Sequence, residues 1–405
     1  MKYKSFKTEI SLNRTQVEYI EKCFDICINA YNEYLKANDR SKEIKKVVVT
    51  ANDFYNGIKT GRFMFKGSAD FLKAKYRTAG LTTIKNGELF VNRYVYGSMN
   101  WPNTKKAQSK HISLHFKPGK YEGEYIKVER HRIHIPYLDW VRIKEKGYLP
   151  YKQGHNIISG KIKKEAGRYY VIILVAIKEE SSFYRAIVPE NAYGIGIDLN
   201  ITNFATLSDG TVFDNINKAE NVLKLKKKLK KEQKDYYRLT RIYRKLPDEE
   251  KAKLEFKNMK KRAHKIDVLH KRIKDIKDDY ERKCVKAIID KKPDFVVMED
   301  LKVKEMTNDR RFSKYIADSS FYSFRLRLYI KCLENGIEFR LADKRFPSSH
   351  ICHDCGAYFT NLTIDDRVFY CPGCGVEIQR DFNASLNLRD TTKYTFWNPS
   401  RSDDI

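Results

Sequence analysis

The sequence predicts an α+β chain of more than one domain, and three features carry that prediction. Alternating apolar and polar runs separated by glycine-containing turns crowd residues 111–177, which is strand chemistry. Residues 218–292 are helical in pattern and dense in charge, and two Cys-x-x-Cys-Gly knuckles stand near the C-terminal end. At 405 residues with a 41% apolar fraction, the chain is too long for one core and apolar enough to bury two or three.

Composition narrows the partners. Lys and Arg number 80 against 52 Asp and Glu, a formal charge of +28. Such a surplus repels itself unless a polyanion or a highly solvated surface offsets it. Nucleic acid leads because 13% aromatic residues accompany the bases, and stacking with phosphate contact is how single strands are held. An anionic membrane surface comes second, and a merely soluble basic protein is the bland alternative. No apolar run approaches the ~20 residues of a bilayer span, the longest being Tyr169 to Ile177. Residues 1–11 alternate instead of forming the apolar block of a signal peptide, so the expectation is a cytoplasmic protein with no membrane partner.

Taken in order, residues 1–11 read as a strand. Asn13 with Gln16 offers a capping-box helix start, and Val17, Ile20, Phe24, Cys27, Tyr31 and Leu35 form an amphipathic stripe. Cys23 and Cys27 lie on or beside it and read as buried thiols, a metal or redox pair being the sharper alternative. From Ala51 to about Lys110 the chain is basic, aromatic and mainly helical in pattern. His111 to Phe116, Tyr125 to Ile135, Val141 to Ile143, Ile157 to Ile162 and Tyr169 to Ile177 then read as strands. One strand before the helices and several after them make a β unit interrupted by a helical insertion. Residues 181–190, polar with Pro189, read as a linker.

The second half opens with Gly194-Ile195-Gly196-Ile197-Asp198-Leu199-Asn200, continues through Thr202 to Leu207 and turns at Asp209-Gly210, a hairpin signal. Residues 218–292 hold 28 Lys and Arg against 13 Asp and Glu, over half of the chain's surplus charge. Pro247 breaks the stretch into at least two helices. An ion-paired, solvated helix face is the plain reading. Two bases per acid, with Tyr236, Tyr237, Arg238, Arg241, Tyr243 and Arg244 interleaved, favour contact with a phosphate backbone.

Four of the eight cysteines fall as Cys352-x2-Cys355, 15 residues, then Cys371-x2-Cys374, with Gly356 and Gly375 following the second thiol of each pair. Glycine lets the backbone turn so that both thiolates face one ion, and two such turns complete a tetrahedral site. Four thiolates leave no open position, so a Zn²⁺ there is structural. Disulfides are the alternative, disfavoured in a cytoplasmic chain. His350 and His353 read as bystanders.

Three acids carry the chemistry. Asp198 closes an apolar strand, Glu299 ends the run Phe295-Val296-Val297-Met298, and Asp381 precedes the helix-like Ala384 to Leu388, where it suits an N-terminal cap. Two carboxylates at neighbouring strand ends and a third at a helix start can converge on two divalent ions about 4 Å apart, the arrangement phosphodiester hydrolysis uses. Hard oxygen ligands select Mg²⁺ or Mn²⁺. The Ile197-Asp198-Leu199 segment also resembles the phosphate strand of actin-like and sugar-kinase ATPases, but the second Gly-rich nucleotide motif is missing.

With these elements placed, the chain resembles TnpB, the RNA-guided DNA endonuclease family of bacterial insertion sequences, and through it the miniature type V CRISPR effectors. Gly196 to Asn200 resembles the first RuvC motif, Val297 to Leu301 the second, and Arg380 to Leu388 the third. Phe346-Pro347-Ser348-Ser349-His350-Ile351-Cys352 leads into a zinc ribbon as in that family. The match covers residues 191–389; the first 190 agree in layout only. The family's acid-rich Asp-Arg-Asp opening of the third motif reads Gln379-Arg380-Asp381 here.

The resemblance implies a β-barrel-like wedge domain at 1–14 and 110–180, a helical recognition insertion at 15–109, and a linker at 181–190. It implies an RNase H-like (RuvC) domain at 191–348 and 378–390 with its basic helical insertion at 218–292, a zinc ribbon at 349–377 and a tail at 391–405. It implies a guide RNA, a double-stranded DNA target whose displaced strand enters the cleft, and a bacterial, nucleoid-associated location. Asp198, Glu299 and Asp381 would be the catalytic Mg²⁺ ligands and Cys352, Cys355, Cys371 and Cys374 the Zn²⁺ ligands. Arg380 would meet the scissile phosphate or serve as a structural ion pair. A guided DNA-binding repressor without cleavage and a DNA transposase are the alternatives.

Overall fold

A computed structural model describes residues 2–39, 46–61, 77–97, 99–102, 113–118, 125–150, 156–177, 191–247, 257–301, 319–360, 362 and 366–397. The chain forms two compact units, Met1–Ser181 and Ser182–Ile405. The expected linker at 181–190 lies outside the described residues, as do parts of the helical insertion.

The first unit contains β1 (Lys2–Ser11), α1 (Arg14–Ala37), α2 (Ala51–Lys59), α3 (Arg77–Val95), β2 (Ser113–Phe116), β3 (Lys127–Val128), β4 (Arg132–Ile135), β5 (Asp139–Ile143), β6 (Asn156–Glu165) and β7 (Arg168–Ile177). Its seven strands form an antiparallel sheet in the order β2-β6-β7-β1-β5-β4-β3. No pairing joins β2 to β3 among the described residues, so the recorded pairing is that of an open sheet. The single strand expected over Tyr125 to Ile135 is instead the hairpin β3–β4. Glu129 N donates to Arg132 O at 2.8 Å and turns the chain back there.

The Asn13–Gln16 capping box starts α1. This helix serves two cores. Ile20, Cys23, Phe24, Cys27 and Ile28 pack on the sheet, whereas Tyr31, Tyr34 and Leu35, one turn further, pack with Phe54, Tyr55 and Ile58 of α2 and Ile84 and Val91 of α3. Cys23 and Cys27 are fully buried, and burial pushes the Cys27 thiol up to about 12, the inert state expected of a core thiol.

The second unit contains β8 (Gly194–Leu199), β9 (Asn203–Leu207), β10 (Val212–Asp214), α4 (Glu220–Lys245), α5 (Lys257–Asp290), β11 (Phe295–Met298), α6 (Phe321–Glu334), β12 (Glu338–Ala342), β13 (Val368–Tyr370), β14 (Glu377–Gln379), α7 (Arg380–Asp390) and β15 (Tyr394–Phe396). Six strands form one sheet in the order β10-β9-β8-β11-β12-β15. Its centre, β8, β11 and β12, is parallel, and the others join antiparallel.

Strand alternation assigns the two faces. Ile195, Ile197, Leu199, Val296 and Met298 pack with Cys284, Val285 and Ile288 of α5 and Phe321, Phe324 and Leu328 of α6. Val297 packs instead with Leu388 of α7. Gly196 and Asp198 share that second face, and the reason for glycine is plain: a Cβ on Gly196 would stand 2.0 Å from Ser385 O and 2.5 Å from Arg389 N of α7. The helix therefore lies directly against β8.

Within the expected tail at 391–405, β15 joins the sheet beside β12, and Trp397 is buried against Tyr329 and Phe339. Residues 398–405 lie outside the described residues. Asp381 is not the cap of α7. That helix begins at Arg380, and Gln379 caps it through its side-chain carbonyl on Phe382 N. The glutamine that departs from the family's Asp-Arg-Asp thus has a local role, and Asp381 falls in the first turn.

Candidate metal centres

The three acids come together. Glu299 follows β11 directly, and the parallel register Met298↔Ile197 carries it beside Asp198 at the carboxyl ends of the two central strands. The first turn of α7 brings Asp381 over the same end. Asp198 and Asp381 are buried, and Glu299 is half-buried. Burial first, then the charges of Glu299 and Asp381, raise the Asp198 carboxyl well above its ordinary value, against the pull of Asn200 and Arg380. Burial also raises Glu299, opposed by hydrogen bonds from Ser348 and Asp198 and reinforced by the charge of Asp381.

Neighbouring side chains fix these carboxylates. Asn200 Nδ2 donates to Asp381 Oδ2 at 3.0 Å and to Asp198 Oδ2 at 3.4 Å, and its own carbonyl is held by Asn203 N at 2.7 Å. Ser348 Oγ donates to Glu299 Oε1 at 2.7 Å. Arg325, 1% exposed, pairs with Asp300 at 3.0 Å and donates to Leu301 O at 3.1 Å, anchoring the segment that follows Glu299. Arg380 Nη2 lies 3.4 Å from Asp381 Oδ1, so the structural ion pair is the contact observed. One guanidinium against three carboxylates leaves a negative cluster of hard oxygen donors, which fits divalent cations of the Mg²⁺ or Mn²⁺ type.

The four cysteines converge as their spacing implied. Gly356 (φ +73°) and Gly375 (φ +77°) adopt the left-handed turn, donating to Cys352 O and Cys371 O at 2.9 and 2.7 Å. Sγ separations are 3.7 Å for Cys352–Cys374 and 3.5 Å for Cys355–Cys371. A tetrahedron with bonds of about 2.3 Å has edges of about 3.8 Å; the separations fit an ion and not a disulfide. Burial acts upward on Cys371, but amide donors at Cys374 and Gly373 with the Cys355 and Cys374 thiols bring it down to about 7; at Cys374 the Val376 amide pulls downward, but burial and the Cys355, Cys371 and Cys352 thiols push it up to about 12. Four thiolates side by side need a cation.

Among the described residues, this quartet is the one group of three or more His, Cys, Asp or Glu side chains whose ligand atoms all lie within 4.8 Å of one another. The acids are spread wider, as carboxylates divided between two ions are. His350 and His353 stay outside the quartet, on Phe359 O and Asp390 respectively, each at 2.8 Å.

The basic stretch forms α4 and α5, packed through Val222, Leu229, Leu269 and Ile273, with α4 ending before Pro247. A groove of about 850 Å³ runs along them, lined by Lys227, Lys230, Lys274, Lys277, Gln233 and His270 among others. Among the described residues Lys227, Lys230 and Lys274 form no ion pair.

Sequence reasoning missed Asn200, Ser348 and the buried asparagines Asn383 and Asn387 on α7. The last two stand four apart, on one helix face, which was the available signal.

Fold and site together define a mixed α/β protein in which a four-cysteine ribbon is inserted just ahead of the last of three converging acids. Its relations follow from comparison. Residues 175–310 match the family OrfB_IS605, described as "Probable transposase", and residues 321–388 match "Cas12f1-like, TNB domain". A "Putative RNA-guided DNA endonuclease" of Streptomyces pristinaespiralis is 30% identical over 226 residues, 56% of this chain and 50% of that protein. A "Putative RNA-guided DNA endonuclease InsQ" of Escherichia coli (strain K12) is 26% identical over 284 residues, 66% of this chain and 63% of that protein. The chain thus spans half of the first of these relatives and under two thirds of the second. A solved "Cas12f1-sgRNA-target DNA complex" aligns over 96% of this chain and 99% of its own at 15% identity, TM-score 0.34. The family matches and the curated relatives fall on the segments whose motifs resemble those of TnpB and the miniature type V effectors. No helix among the described residues is long and apolar enough to cross a membrane.

Proposed function

We propose that this chain is an RNA-guided DNA endonuclease of the insertion-sequence type, cleaving target DNA beside a short motif that the protein reads while a guide RNA reads the rest. The observation that carries the reading is the convergence of Asp198, Glu299 and Asp381 from two strand ends and a helix start. These acids would hold Mg²⁺ or Mn²⁺, which when bound would activate a water and stabilise the leaving oxygen. Asn200 keeps Asp198 and Asp381 turned toward one another, and Arg380 is the cation placed beside the scissile phosphate. Cys352, Cys355, Cys371 and Cys374 hold a structural Zn²⁺.

The strand-and-helix layout supports an RNase H-like (RuvC) domain at 191–348 and 378–390, interrupted by the ribbon at 349–377. The first unit is read as the wedge and recognition domains that grip the guide. The open lysines of the α4–α5 groove track a phosphate backbone. The three standing acids count against a repressor without cleavage; the transposase reading has the description of the family matched at 175–310 on its side, but the ribbon ahead of the last acid fits the guided nuclease better.

The test is to purify the protein with its co-expressed RNA and challenge it with target duplex. One discrete structured RNA, Mg²⁺-dependent cutting, and loss of cutting but not of RNA in Asp198→Ala are expected. Random cellular RNA and no cutting by the unmutated protein would end the reading.

A further inference from the structure

The ribbon and the acid cluster share their supports. The chain enters the ribbon through Ser348, whose hydroxyl donates to Glu299 at 2.7 Å, and leaves it through β14, which runs directly into the turn of α7 that bears Asp381. The entrance is clasped to α7 by two buried asparagines. Asn387 Nδ2 donates to Ser348 O at 2.8 Å and to Ile351 O at 2.7 Å. Asn383 Nδ2 also donates to Ile351 O at 2.7 Å, and its carbonyl accepts from His353 N at 2.9 Å. Ser348 is 3% exposed, Asn383 0% and Asn387 7%.

We propose that Ser348 is a positioning residue for Glu299, and that through it the closed four-cysteine knuckle sets how tightly the acid cluster holds a divalent ion. The proposal rests on the reading of the three acids as an ion site. A carboxylate with two free oxygens rotates; one whose Oε1 is held by a buried hydroxyl presents the other in a fixed direction. Outer partners of this kind tune metal affinity. Ser348 is itself fixed at its carbonyl by the side chain of Asn387, on the helix that carries Asp381, so the donor for one acid is tied to the helix of another. The ion held by the four cysteines closes the segment between them and so offsets the chain entropy lost in bringing its two ends together.

The experiment is a Mn²⁺ titration of the full chain with its RNA, read by the electron paramagnetic resonance of free Mn²⁺, alongside zinc content. Ser348→Ala is expected to weaken the acid-cluster binding about tenfold or more with one zinc retained. Ser348→Thr, which keeps the donor, is expected to bind within about twofold of the unmutated chain, well short of that loss. Asp198→Asn identifies the binding event. If Asp198→Asn abolishes it and Ser348→Ala leaves it unchanged, the positioning role is overturned while the ion site stands. If Asp198→Asn changes nothing, the ion-site reading fails and this proposal falls with it. Should Ser348→Ala lose its zinc or fold, Asn387→Ala, which removes the clasp and keeps the hydroxyl, must weaken Mn²⁺ binding with zinc retained; normal binding there overturns the proposal.

Discussion

Gly196 and Ser385 meet so closely that a methyl group on the first would lie 2.0 Å from the carbonyl oxygen of the second. That approach is backbone against backbone, so no side chain can swing aside to relieve it. It sets how near α7 lies to β8, and hence how near Asp381 lies to Asp198.

Replacing Gly196 with alanine should therefore push α7 outward. A loss of about 1–3 kcal/mol is expected from such overpacking, with the loss of divalent binding out of proportion to it. Urea denaturation beside a Mn²⁺ titration checks both. A variant of unchanged stability and affinity would contradict the close packing.

The acids predict a pH dependence with a definite sign. The native carboxyls of Asp198 and Glu299 are raised above their ordinary values of 3.8 and 4.5, so the folded chain holds protons that the unfolded chain has already released. Their contribution is fully present below those ordinary values and is lost as pH rises through the raised native ones. In ion-free protein, denaturation midpoints should decrease as pH rises above those ordinary values, and those of Asp198→Asn should decrease less. Added Mg²⁺ should flatten the curve, because the cation stabilises the ionised form. An unmutated curve parallel to that of Asp198→Asn would refute the assignment.

The four-cysteine ribbon has almost no core, with Phe369 the one large buried side chain among its described residues. Elemental analysis should find one zinc per chain. Cys371→Ser should release it and leave residues 349–377 open to protease while the sheet of the second unit stays folded. Retention of zinc by that variant would disprove the ligand set.

The open lysines make a salt-dependence prediction. Changing Lys227, Lys230 and Lys274 together to alanine should weaken nucleic-acid binding across sequences. The slope of log K against log salt should drop by about 2–3, at roughly 0.7–0.9 for each phosphate no longer neutralised. An unchanged slope would place the backbone elsewhere.

Much of this arrangement is legible in the sequence because it depends on short-range rules. Alternation through Gly194 to Asp198 assigns Asp198 its face, cysteine spacing assigns the knuckles, and Pro247 ends a helix. What escapes such rules is set by tertiary contact. Gln379 displaces Asp381 as the cap because the chain enters α7 from β14, and nothing local reveals where β14 ends. Trp397 reads as tail until the sheet edge beside β12 is known to need a partner. Asn200 and Ser348 look like ordinary turn residues until their distant carboxylates are placed.

The sharing of α1 between two apolar clusters has a thermodynamic consequence. Neither the strands on one side nor the short helices on the other can come apart without stripping half of the same rod. Calorimetry of residues 1–181 should accordingly record a single melting event, with calorimetric and van't Hoff enthalpies in agreement, although two clusters contribute to it.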